Sequence, residues 1–290
     1  MSIPKKFVGL HAHTGFSMYD GFGIPEEHIK YAHENGMDAM AITEHGNMSS
    51  FPNADLYTKE LKKKGINFKH LPGVEAYYHP DLDEWRKEKE RISDENKGKK
   101  KQQKKEEELA DDEDSNATEN EEETKNVKKY FNPINRRHHM VLLAKSNKGL
   151  ENLFRLVSRS FKDGFYRYPR IDRKMLKEYG EDIIATSACI GGVIAYDVFS
   201  NINQSFDSID VNNVLKDSQL HDKIMKQTLN TCDQINDAVG YGNFYVEMQF
   251  NKLEQQHIAN KFIMELHKKG MPIIAAADSH YCKPELWRAR

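Results

Sequence analysis

Apolar and polar positions alternate in a regular order along most of the 290 residues. Short apolar runs of strand length are followed by longer stretches with helical spacing, and glycine or proline separates them. Residues 7–14, Phe-Val-Gly-Leu-His-Ala-His-Thr, read as a first strand. Apolar strand candidates recur at 37–43, 68–78, 138–144, 183–189, 244–250 and 272–277. Helices are predicted over 25–35, 54–64, 148–161, 175–179, 220–239 and 254–269. Pro25 with Glu26 and Glu27 suits a helix start, and Gly36, Gly65 and Gly270 are natural stops. Leu150, Leu153, Phe154, Leu156, Val157 and Phe161 form one apolar face. Residues 201–213 read as a polar connection.

This alternation predicts an α/β chain with a mainly parallel sheet. Seven strands approach the number that closes a distorted barrel of the triosephosphate-isomerase type, whose sites lie at the carboxyl ends of the strands. An open doubly wound sheet is the alternative, disfavoured because no glycine-rich phosphate fingerprint follows the first strand.

The pattern breaks over 84–129, where almost nothing is apolar: residues 97–105 are basic and 106–123 strongly acidic. Such a segment buries too little surface to offset the entropy of ordering. It is expected to be a charged insertion, disordered or helical, in a single domain formed by 1–83 and 130–290.

Composition narrows the classes. A net charge of −2 gives no global basic footprint for nucleic acid, although a local groove remains open. Three widely spaced cysteines, Cys189, Cys232 and Cys282, argue against a disulfide framework and for a reducing compartment. No apolar run reaches membrane-spanning length and residues 1–6 lack a signal core, so a cytoplasmic location without membrane partners is expected.

The chemistry gathers at strand ends. His11 and His13 share one face of the first strand, and Asp278 and His280 repeat that spacing at the last. His45, Glu75, His139 and Cys189 sit at or near other strand ends, with Asp20 in the first loop. Taken singly, each has an ordinary structural reading. Together, on the rim of a closed sheet, they exceed what one ion needs and point to two or three. Mixed imidazole, carboxylate and thiolate donors suit zinc, manganese or iron rather than calcium. Clustered ions of this kind bind a phosphate ester, polarise it and activate water. The loop 164–170, Gly-Phe-Tyr-Arg-Tyr-Pro-Arg, interleaves aromatic and basic residues. It either packs onto the barrel or stacks bases and holds phosphates.

His11-Ala12-His13, Ile42-Thr43-Glu44-His45-Gly46, Gly73-Val74-Glu75-Ala76-Tyr77 and Ala277-Asp278-Ser279-His280 resemble motifs of the polymerase and histidinol phosphatase (PHP) family. More narrowly, His139 with the run 141–144, the stretch 164–172 and the stretch 186–192 resemble the amino-terminal PHP domain of bacterial DNA polymerase III alpha subunits. The resemblance covers nearly the whole chain outside 84–129 and implies a distorted barrel with a trinuclear metal site. It implies that His11, His13, Glu75 and Asp278 surround one ion, that Glu75 bridges to a second on His139 and Cys189, and that Asp20, His45 and His280 hold a third. His139 is preferred to His138 because it directly precedes the apolar run. Glu44, where the family more often carries aspartate, is not taken as a ligand. Arg170 or Arg167 is the expected neutraliser of phosphate charge.

The implied activity is 3′→5′ removal of nucleotides from a DNA primer end, in a replicative polymerase of a bacterium or phage. The implied partners are palm and fingers domains in the same or a separate chain, and a proofreading exonuclease or sliding clamp. Polymerisation itself has no place in a chain that runs only ten residues beyond His280. Two alternatives stand beside this: a non-catalytic, metal-stabilised platform, and a small-molecule phosphatase of the histidinol phosphate type.

Overall fold

The computed structural model describes residues 7–107, 136–202 and 210–289. Strands β1 (Ala39–Ile42), β2 (Lys69–His79), β3 (His138–Ala144), β4 (Arg170–Asp172), β5 (Ile183–Thr186), β6 (Phe244–Gln249) and β7 (Ile273–Ala276) form one sheet. Its order is β1-β2-β3-β5-β6-β7, with β4 paired to β2 off this path. Helices α1 (Pro25–Glu34), α2 (Phe51–Lys63), α3 (Leu82–Glu107), α4 (Asn147–Asp163), α5 (Arg173–Tyr179), α6 (Val193–Phe199), α7 (Val211–Lys216), α8 (Ser218–Val239) and α9 (Glu254–Lys268) separate the strands.

The sheet is an incomplete barrel closed by the amino-terminal segment. The expected first strand is not a continuous ladder. It is two isolated bridges, Gly9 to Met40 on one edge and Ala12 to Ser279 on the other. The His13 amide donates to the Ser279 carbonyl at 2.7 Å, and the Thr43 amide to the Ala12 carbonyl at 2.8 Å. Residues 9–13 therefore tie β1 to the chain just beyond β7.

One strand departs from the expected parallel order. β3 runs antiparallel to both β2 and β5, while the β1–β2, β2–β4, β5–β6 and β6–β7 pairs are parallel. The reversal has a local consequence. His138 and His139 open β3 opposite Tyr78 and Tyr77, so the start of β3 lies on the rim where β2 ends.

Side chains alternate across the sheet. Val74, Ala76 and Tyr78 of β2 and Met140 and Leu142 of β3 face outward into the main core, against Leu153, Leu156, Leu176, Val198, Ile235 and Phe262 of the helices. The intervening positions face inward. There Ala41, Val141, Leu143 and Ala188 form a small apolar plug, joined by Leu10, Leu71 and Ile184. Val141 pairs with Glu75, so this plug floors the polar rim. Side-chain caps set several helix starts. Asp172 accepts from the Met175 amide at α5, and Asp217 accepts from the Gln219 and Leu220 amides at α8.

The break in pattern falls later than its first charged residues suggest. α3 begins at Leu82, and Leu82 and Trp85 are buried at 1% and 8% exposure. The segment from 84 is thus helical through 107 and anchored to the barrel at its start, while 108–129 lies outside the described residues. Of the expected polar connection, 203–209 also lies outside them, and α7 begins within it at Val211. Among the described residues, no helix is long and apolar enough to cross a membrane.

Candidate metal centre

Nine side chains marked in the sequence meet on the inner rim. Glu75 is central and 1% exposed. Its Oε1 lies 3.2 Å from His11 Nε2 and 3.0 Å from His139 Nδ1. Its Oε2 lies 2.6 Å from His45 Nδ1 and 3.5 Å from His13 Nε2. Asp278 Oδ1 is 3.2 Å from His11 Nε2 and 3.3 Å from His13 Nε2. Asp20 Oδ2 stands 2.7 Å from His45 Nε2 and 3.0 Å from His280 Nε2. Cys189 Sγ is 3.5 Å from His139 Nδ1.

Three groups have donor atoms close enough to share an ion: His11, His13 and Asp278; His45, Glu75 and His139; and His13, His45 and His280. They overlap through His13 and His45, so the rim is one continuous field of donors. His45 presents Nδ1 to Glu75 and Nε2 to Asp20.

These atoms are close but do not satisfy one another. His11 Nε2, His13 Nε2, His45 Nδ1, both Glu75 oxygens and Asp278 Oδ1 are buried without a hydrogen-bond partner of acceptable geometry. Buried polar atoms are almost always paired, because each unpaired one costs about 1–3 kcal/mol. Here these atoms converge on shared points. That is the geometry of ligands around cations, and the donor set fits divalent transition metals.

Without a cation the buried acids and imidazoles charge one another. Burial would raise the Glu75 pKa, but His139 and His11 outweigh it and hold the carboxyl well below its usual range. Asp278 is likewise held low against burial, chiefly by His11 and His13. Burial would lower the His11 pKa, yet Glu247, Asp278 and Glu75 raise it well above the ordinary value. His13 is lowered, mainly by burial. Burial and the Glu75 and Asp278 carboxylates push the Cys189 thiol up, so a thiolate here requires an added positive charge.

Several supporting residues were not evident from sequence. Glu247, 1% exposed in the middle of β6, places Oε1 2.7 Å from His11 Nδ1. Its Oε2 accepts from Thr186 at 2.5 Å, and Gln249 Nε2 donates to Oε1 at 2.9 Å. The carboxylate thereby keeps the His11 proton on Nδ1 and turns Nε2 to the centre. Ser17 does the same for His13, with Oγ 2.9 Å from Nδ1. Glu44, buried and off the metal side, accepts from the Thr14 amide and hydroxyl and from Ser17. The available signal for Glu247 is a lone acid in the apolar run Phe-Tyr-Val-Glu-Met-Gln.

His139 rather than His138 faces the cluster. His138 is 3% exposed, accepts from Arg136 Nε at 3.0 Å and packs at a tilt against Tyr196, 4.2 Å between ring centres. Both marked arginines are placed elsewhere: the Arg167 guanidinium carbon lies 5.7 Å from the Tyr166 ring centre, and Arg170 is buried. The Arg170 guanidinium lies 3.8 Å over the Trp85 ring and donates to the Gly164 carbonyl at 3.2 Å. The face of a buried indole attracts the cation away from the rim, so phosphate neutralisation by Arg170 is corrected to a packing role. The loop 164–170 divides. Tyr166 turns towards Trp85, whereas Tyr168 packs on Tyr77, itself 5.5 Å from His139 and 6.0 Å from His45 between ring centres. A Cβ on Gly46, beside His45, would meet Pro169 Cγ at 2.8 Å, so this loop borders the site. Backbone strain also gathers here: Asp278, Ala188 and Tyr19 adopt positive φ of 50°, 55° and 66°, each at or beside a marked residue.

A family model described as "PHP domain" matches residues 9–251. DNA polymerase III subunit alpha of Aquifex aeolicus is 32% identical over 98% of this chain and 19% of its own length. The same subunit of Borreliella burgdorferi is 30% identical over 98% and 19%, and that of Thermus aquaticus 28% identical over 100% and 18%. The chain thus spans about a fifth of the curated relatives it matches. A solved histidinol phosphate phosphatase of Lactococcus lactis, complexed with zinc, L-histidinol and phosphate, aligns with 95% of this chain and 87% of its own at 13% identity and a TM-score of 0.40. That likeness carries no weight for the site. The motifs, the curled sheet and the matched span agree, and the chain belongs to the PHP domain family.

Proposed function

We propose that this domain is a metal-dependent phosphodiesterase that removes nucleotides from the 3′ end of DNA, as part of a replicative polymerase of the DNA polymerase III alpha type. The observation that carries the reading is the set of buried, unpartnered donor atoms on His11, His13, His45, Glu75 and Asp278, aimed at common points. The similarity to DNA polymerase III alpha subunits supplies the substrate class.

In this reading His11, His13, Glu75 and Asp278 hold one ion, Glu75 with His139 and Cys189 a second, and Asp20, His45 and His280 a third. Zinc, manganese or iron would supply Lewis acidity, offset phosphate charge and lower the pKa of a water. The chain's own residues do the rest. Glu247 and Ser17 fix the protons of His11 and His13 on Nδ1, so both present Nε2 lone pairs inward. The apolar plug of Ala41, Val141, Leu143 and Ala188 closes the barrel beneath and limits water to the open side. The partners in this role are the primer 3′ end and the polymerase palm and fingers, with a proofreading exonuclease or sliding clamp in the assembly.

The test is release of nucleotides from 5′-labelled single-stranded and mismatched primers by the manganese- or zinc-loaded chain. Stepwise shortening by wild type, abolished in Asp278→Ala, is expected. Identical background release by both would end the catalytic claim.

A second reading is favoured by one observation: the donors come from both ends of the described chain, His11 and His13 against Asp278 and His280. Ions there would cross-link the closure and could serve a non-catalytic platform. Stabilisation by metal without any turnover would select it. Cleavage of histidinol phosphate with DNA left intact would instead select the small-molecule phosphatase.

A further inference from the structure

Of the four arginines at 136, 137, 167 and 170, three lie against rings away from the metal donors, and Arg167 is 5.7 Å from the Tyr166 ring centre. Arg136 donates to His138 and lies 4.6 Å over Tyr196, and Arg170 lies over Trp85. Arg137 differs. Its guanidinium carbon lies 4.0 Å over the Tyr168 ring and 5.7 Å from the Tyr77 ring, and Tyr77 borders His45 and His139. Among the described residues no carboxylate pairs with it, and its Nε is buried without a hydrogen-bond partner. The stretch just before Arg136, Tyr-Phe-Asn-Pro-Ile-Asn, contributes no acid.

A guanidinium held over a tyrosine ring can still present an edge of terminal N–H groups to other acceptors. That edge matches two oxygens of a phosphodiester. The metal donors can serve only the phosphate they surround. A cation one aromatic ring away from His45 and His139 is placed for a different anion on the same ligand. A single small phosphate ester has no such second anion, whereas a polynucleotide does.

We propose that Arg137, supported by Tyr168, binds a non-scissile internucleotide phosphate of single-stranded DNA beside the metal centre. It is a positioning residue that selects polymer over monomer. The proposal rests on the nucleic-acid reading above and deepens it.

The test is fluorescence anisotropy with the full metal-loaded chain and two short labelled oligothymidylates. One has charged, slowly cleaved phosphorothioate linkages and the other neutral methylphosphonate linkages. The wild type should bind the charged oligomer more tightly. Arg137→Ala should weaken that binding about tenfold and reduce the slope of log K against log salt by roughly 0.7, the value for one phosphate contact on a single strand. Its affinity for the neutral oligomer, its metal content and its melting temperature should match wild type. Arg137→Lys should keep most of the salt slope but less of the affinity, because the bidentate contact is lost. Equal affinity and salt slope in wild type and Arg137→Ala would overturn the proposal, as would wild-type binding that ignores backbone charge. Hydrolysis is read separately with bis(p-nitrophenyl) phosphate, which has no second phosphate. Turnover of that ester without charge-dependent oligomer binding removes Arg137's role but keeps the hydrolase. Oligomer binding lost in Arg137→Ala, without turnover of either ligand, keeps Arg137's role and removes the hydrolase.

Discussion

The His11 imidazole can serve a cation through Nε2 only while its proton sits on Nδ1, and Glu247 holds it there at 2.7 Å. Glu247→Gln keeps the shape but removes the charge that fixes the tautomer. Loss of such an outer partner lowers metal affinity by about 10–100-fold, which chelator competition would read. His79 gives a separate pH prediction. It is 6% exposed, and its Nδ1 accepts from the Asp81 amide at 3.1 Å, which requires an unprotonated nitrogen. Burial first, then Arg136 and Arg170, lower its pKa from 6.5 to about 4. The unfolded chain therefore binds the extra proton first as pH falls. The stabilisation is complete above pH 6.5 and is lost progressively down to about pH 4. The fall in melting temperature from pH 7 to pH 5 should be smaller in His79→Gln than in wild type; equal falls would remove His79 as the cause. At this scale most of the candidate donors were legible because they end or interrupt apolar runs near paired histidines or acids, with Asp20 in the loop after the first. Glu247 escaped because it sits inside a run. Arg170 misled because neighbouring tyrosines announce a basic-aromatic loop without saying which side each member takes.

Elements decide what those residues can reach. Trp85 lies near the start of α3, buried at 8%, with the Arg170 guanidinium 3.8 Å over its ring. Trp85→Ala should cost about 3–5 kcal/mol, seen as a lower denaturation midpoint, while metal stoichiometry stays unchanged. Arg170→Ala should behave alike, with stability falling more than kcat. A selective loss of kcat in Arg170→Ala would restore its catalytic role. The reversal of β3 was not legible, because a period of two reads the same in both directions. The sequence placed His139 at a strand end without showing that the strand enters from the rim. The expected first strand has the pattern of a ladder. It forms only two bridges because it crosses between two sheet edges instead of lying along one. The charged run from 84 likewise hid a helix start, since Leu82 and Trp85 are its main apolar anchors.

For the whole molecule, the rim of candidate ligands lies on the seam that closes the barrel. Residues 9–13 join β1 to the segment after β7, and His11, His13, Asp278 and His280 come from the two sides of that seam. Ions held across it would bind the folded chain and not the unfolded one. At a thousandfold excess over Kd such binding contributes about 4 kcal/mol, and about 2–4 °C accompanies each kcal/mol in chains near this size. Chelation should therefore lower the melting temperature by roughly 10 °C in scanning calorimetry, with recovery on adding zinc or manganese. The pairing of His11 with Asp278 was expected from their matching positions on the first and last apolar runs. The structure brings the pair to 3.2 Å.

The most direct test of the metal centre is elemental analysis of the purified chain by inductively coupled plasma mass spectrometry, wild type beside Glu75→Gln. Glu75 touches four of the five clustered imidazoles, at 2.6 to 3.5 Å. Two to three equivalents of zinc, manganese or iron are predicted in wild type, with loss of at least one equivalent in Glu75→Gln. Wild-type protein that binds no stoichiometric transition metal, even after incubation with each ion, would contradict the account.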